Sequence, residues 1–233
     1  MDESGLNIQS PGKDEWPIQF SESNAFVGKI INWSISAIIM IYLITLMVGL
    51  ITLPDPNEPI GNPYFTILEL IILILGPLMV FSFAILHVST PNELKIYSFT
   101  ALILIAIMAG ITCCTHFLIL TLSHQKNIID QSWSPVVFLF KWPSFVYAFD
   151  ILAWDFFFPL SMFFLAATFR KKGLEKVLCR LLIVSGVVSF IGLLGIPTNN
   201  MHIRNIGIIG YTFVAIINFF LLGVVLRQRV TIK

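Results

Sequence analysis

Four ionisable side chains lie inside strongly apolar runs: Glu69, His116, Asp150 and Asp155. A carboxylate in hydrocarbon costs about 2.5–3.5 kcal/mol on insertion scales, so it turns inward toward a partner or a cavity. Asp155 stands eleven residues into its run, about 16 Å at helical rise and hence near a bilayer centre. No lysine or arginine lies within two turns of it, and Arg204 is expected nearer the surface. Asp155 is therefore expected to be neutral, a hydrogen-bond or proton donor. Asp150 comes five residues earlier; in a regular helix the two would point about 140° apart and form no dyad. If the chain is an enzyme, the candidate catalytic groups are Asp155 and Asp150 as acids and His116 as base.

Further polar and aromatic groups match these in depth and are candidates for holding a ligand. Thr112 lies one turn from His116, Trp154 beside Asp155, and Tyr211 and Asn218 on nearly one stripe. Trp133 and Trp142 bracket an apolar stretch between the third and fourth runs, which reads either as an interfacial anchor or as a lid over a pocket. Phe156, Phe157 and Phe158 would suit an apolar pocket wall. Structural alternatives stand beside each reading. Glu69 can snorkel to headgroups, Asn218 can staple two helices, and Asp155 can pair with His116 or Arg204. Ser185, Ser189 and Gly192, with Gly207 and Gly210, mark faces where helices approach closely.

The elements that must position these groups are membrane helices. Hydrophobic residues make up 57% of the 233-residue chain and charged ones 12%, too apolar a balance for a soluble domain, which averages roughly 45–50% and 25%. Six unbroken runs approach the roughly 20 residues a helical span needs, at about 30–53, 64–87, 96–123, 144–169, 178–197 and 204–226. A barrel would show short alternating segments instead. The expected fold is all-α, a six-transmembrane-helix bundle over 30–227, with cytoplasmic tails at 1–29 and 228–233. The fifth span is the shortest, adequate only if Arg180 snorkels.

With the N-terminus inside, eleven lysines and arginines fall on the inner side and three (Lys126, Lys141, Arg204) on the outer. The bias is dominated by Arg170, Lys171, Lys172, Lys176 and Arg180, and it predicts both termini in the cytoplasm of a cell-membrane protein. On that topology the polar groups collect in the outer half, and the inner half is expected to be almost purely apolar.

Net charge is +1 with no basic stripe, which excludes nucleic acid as a partner. The three cysteines show no CxxC spacing, and the four histidines no metal-ligand spacing. Neither the P-loop nor HExxH, GxSxG or GxGxxG occurs. No cofactor or metal is expected.

From about Ala106 to Arg229 the chain resembles a group of bacterial six-span membrane proteins of no established activity. The likeness rests on Thr112-Cys-Cys-Thr-His-Phe117, on Trp142-Pro-Ser144 with Phe149-Asp-Ile-Leu-Ala-Trp-Asp155, and on Arg170-Lys-Lys-Gly173 leading to Leu182-Ile-Val-Ser-Gly-Val187. It implies the six-span layout and says nothing of substrate. The expected partners are the bilayer and a small apolar or lipid-like molecule in an outward-facing pocket. The alternatives are a membrane-embedded enzyme on a lipid or isoprenoid, a transporter, or a non-catalytic subunit.

Overall fold

A computed structural model describes residues 20–55, 58–123, 125–169 and 172–231, the last two without their side chains. The expected tail over 1–19, and His124, Arg170, Lys171 and Lys233, lie outside the described residues. Six helices are long and apolar enough to cross a membrane. They are α1 (Glu22–Ile51), α2 (Tyr64–Ser89), α3 (Lys95–Leu122), α4 (Phe145–Ala166), α5 (Gly173–Leu193) and α6 (Met201–Arg229, running on to Thr231). Among the described residues there is no strand. The chain is a multi-pass, all-α membrane protein.

Local sequence explains the helix ends. Ser21 caps α1 by accepting from the Asn24 N–H, so the helix begins eight residues before the expected 30 and takes in part of the expected tail. Pro91 forces Thr90 into extended backbone and ends α2 at Ser89. Ser144 caps α4 through the Tyr147 N–H, and Asn200 caps α6 through those of His202 and Ile203. Gly173, at φ +54°, makes the turn into α5, a conformation that costs glycine least. The fifth span thus starts five residues before the expected 178, long enough at 21 residues to cross without a marginal case. The expected C-terminal tail 228–233 is helical as far as Thr231.

Each helix packs on its neighbours in sequence, and α6 closes on α1, so the six form a ring in chain order. One end carries the connections 52–63, 123–144 and 194–200; the other carries 90–94, 167–172 and the two chain ends. At the terminus end the ring is filled by Phe83, Leu86, Leu182, Phe219, Leu222 and Leu226, all almost wholly buried. That half is less purely apolar than expected. Buried Asn32 donates to the Gly28 carbonyl and accepts from Ser82 Oγ at 2.8 Å, and Ser36 donates to the Ile216 carbonyl. These bonds tie α1 to α2 and α6, where no water competes for the polar groups. At the opposite end the centre of the ring is open.

Candidate ligand-binding site

The fourth span departs from a regular helix where the chemistry lies. Pro159 has no N–H to give the Asp155 carbonyl and its ring crowds that oxygen. The turn before it is widened into a π-helix over Leu152–Phe157, where the Phe158 N–H donates five residues back to Ala153. With one extra residue in the turn, a spacing of five takes the place that four holds in an α-helix. Asp150 and Asp155 therefore face one partner, and the 140° divergence expected of a regular helix does not hold.

That partner is Arg204. Its Nη2 donates to Asp150 Oδ2 at 3.0 Å, and its Nε lies 3.6 Å from Asp155 Oδ2. Arg204 stands in the first turn of α6, at the end of the span where it was expected, but its side chain turns inward: it is 4% exposed, with its guanidinium over the Tyr147 ring, 4.9 Å from the centroid. That inward turn removes the ground for a cation-free, neutral Asp155. The chain of charges continues on the other side of Asp150. His116 Nε2 stands 3.5 Å from Asp150 Oδ1, beyond hydrogen-bonding reach, and His116 Nδ1 bonds Glu69 Oε2 at 2.7 Å. Five buried ionisable groups from α2, α3, α4 and α6 thus run in the order Glu69, His116, Asp150, Arg204, Asp155. Glu69 does not snorkel; it is 2% exposed and turned into the ring.

Beside this row lies a cavity of about 460 Å³, open at the end of the 52–63 and 123–144 connections. Glu69, His116, Asp150 and Arg204 are its charged lining, and aliphatic side chains such as Ile39, Leu46, Leu68 and Ile72 also line it. Trp142, Trp154 and Tyr211 line it as well, with Tyr42, Tyr147 and Phe140, which composition alone did not single out. Phe140 folds back from the 123–144 connection, its ring 5.7 Å from that of His116 and edge-on to Tyr147.

Several sequence candidates lie elsewhere. Thr112 is fully buried and its hydroxyl approaches Met108 Sδ. Trp133 is half exposed, packs on Phe138 and is not part of the lining. Asn218 donates to the Leu181 carbonyl, stapling α6 to α5 far from the cavity. Phe156 meets Phe157 edge to face and lies tilted against Phe190, while Phe158 is core; none lines the cavity. Asp155 is also absent from the lining, fully buried behind Arg204.

The small-residue faces explain how Asp155 fits. A methyl group on Gly207 would collide with Asp155 Oδ1, and one on Gly192 would come within 2.6 Å of it. Gly195 likewise leaves room for the Arg204 backbone. Faces read from sequence as packing alone thus also make space for a carboxylate at the α4–α5–α6 crossing. Ser185 donates to the Gly210 carbonyl in the same seam. What the sequence missed of Arg204 was its inward direction; the one signal was a single arginine at the start of a long apolar run. Among the described residues no three His, Cys, Asp or Glu side chains could hold a metal ion. No family model, no curated protein and no solved structure matches the chain.

Proposed function

We propose that the protein binds a small, largely apolar molecule with a polar head in this cavity, from the extracytoplasmic side of the cell membrane. The observation that carries the reading is a cavity whose size falls in the roughly 300–1,000 Å³ range of ligand sites and whose lining joins a few charged groups to many apolar ones. The side follows from the lysines and arginines, which crowd the opposite end; with Arg204 buried, only Lys126 and Lys141 count on the cavity side. Among the described residues the terminus end is filled by packed side chains. There Arg229 bonds Glu175 at 3.1 Å and Ser89 Oγ at 2.9 Å, joining α6, α5 and α2. To test the reading, small molecules extracted from the purified protein are compared between wild type and Leu46→Trp, which fills the cavity from its aliphatic lining. One compound class enriched in wild type and lost in the variant is expected; equal content in both, at equal stability, would sink the reading.

One observation favours a second reading, acid–base catalysis on a lipid or isoprenoid. With Glu69 ionised, His116 Nδ1 carries the hydrogen and donates to it, which leaves Nε2 as a base without a hydrogen-bond partner. His116→Gln separates the two: binding survives it if His116 only lines the site, whereas turnover of a membrane lipid would stop.

A further inference from the structure

The charges beside the cavity do not balance. Glu69, Asp150 and Asp155 are three carboxylates, set against one guanidinium and one imidazole. With all three ionised, one formal negative charge is left over even when His116 is protonated, and either a proton on a carboxylate or a cation in the cavity must balance it. Glu58 and Lys141 at the exposed mouth are of opposite sign and do not change the sum. Arg204 is already shared by two carboxylates, so it offers little attraction to an anionic head. A buried excess of charge is costly unless something completes it.

A second feature points to what completes it. With His116 neutral and its Nδ1–H given to Glu69, Nε2 is an acceptor on the cavity wall, in a residue 3% exposed, without a hydrogen-bond partner and able to take an N–H from a protonated amine. Around it the cavity is lined by the rings of Tyr42, Phe140, Trp142, Tyr147, Trp154 and Tyr211. Aromatic faces beside carboxylates attract organic cations, the more so where water is excluded. Arg204 over Tyr147 already shows that mode of contact within the site.

We propose that the polar head of the ligand is a protonated amine carried on an apolar tail. The proposal rests on the pocket reading above and names its ligand class. The head would sit against Glu69 and Asp150 among the aromatic rings, and the tail along Ile39, Leu46 and Leu68.

The test uses the full chain in nanodiscs and three probes of similar length: octylammonium, its uncharged isostere nonane, and octyl sulfate. Binding is read by calorimetry and by thermal shift. The cation is expected to bind at least tenfold more tightly than the neutral isostere, and the anion not at all. Glu69→Gln and Asp150→Asn should each lower cation affinity about tenfold and leave the neutral probe unchanged. If either variant fails to fold, the three-probe comparison on the wild type decides alone. Equal binding of cation and neutral isostere, or preference for the sulfate, overturns the cationic head and leaves the pocket standing. Binding of none of the three overturns both.

Discussion

Arg204 holds the site together at the residue scale. Removing it strands Asp150 and Asp155, and a broken buried pair costs about 3–5 kcal/mol. Arg204→Met is therefore expected to unfold far below wild type in a detergent thermal melt. Asp155→Asn should cost less, about 1–3 kcal/mol, because Arg204 keeps its 3.0 Å bond to Asp150. A larger loss in Asp155→Asn than in Arg204→Met would reverse this ranking. Gly207 acts on the same carboxylate from behind. Gly207→Ala drives a methyl into Asp155 Oδ1 and toward the Gly192 Cα at 3.2 Å; overpacking of this kind costs about 1–3 kcal/mol. Part of that loss should return in an Asp155→Ser background, where the carboxylate is gone, and no recovery would mean that the helix contact alone sets the penalty.

At the scale of the element, the widened turn of α4 decides which way Asp155 points. The π-helix at Leu152–Phe157 is tied to Pro159, and i→i+5 turns of this kind gather at functional sites. Pro159→Ala returns the missing N–H and permits a regular register, which would swing Asp155 away from Arg204. The coupling between Asp155 and Arg204, measured in a double-mutant cycle on melting temperature, should then fall from the roughly 0.5–3 kcal/mol of contacting pairs toward zero. Unchanged coupling in Pro159→Ala would show that packing against α5 and α6, not the proline, holds the turn open. The 123–144 connection is the other element that shapes the site. It brings Phe140, Lys141 and Trp142 over the cavity while leaving Trp133 at the surface, so of its two tryptophans one lines the cavity and the other stays outside it.

For the whole molecule, the ring in chain order has one open end and, among the described residues, one filled with side chains. Its orientation is tested with single cysteines in a background lacking Cys113, Cys114 and Cys179. Cysteines at Asn127 and Asn199 are expected to react with an impermeant thiol reagent applied to intact cells, and one at Lys172 only after lysis. Labelling of the Lys172 position in intact cells would invert the molecule and turn the cavity to the cytoplasm.

The sequence by itself determined the class of fold, because composition and run length leave a chain this apolar no soluble alternative. It also determined which ionisable groups must be accounted for: Glu69, His116, Asp150 and Asp155 stand out because each is costly in lipid, and all four are buried inside the ring. Their partners were not legible. Whether Asp150 and Asp155 diverge depends on one widened turn, and whether Arg204 reaches them depends on room left by glycines of α5 and α6. The first is a local distortion tied to Pro159, which regular helix geometry does not foresee; the second is a property of helix against helix that spacing along one chain does not encode. The same holds for Asn218 and Phe156, whose depth matched the site but whose faces turned to other helices. Depth in the membrane follows from counting residues, whereas facing follows only from how six helices close a ring.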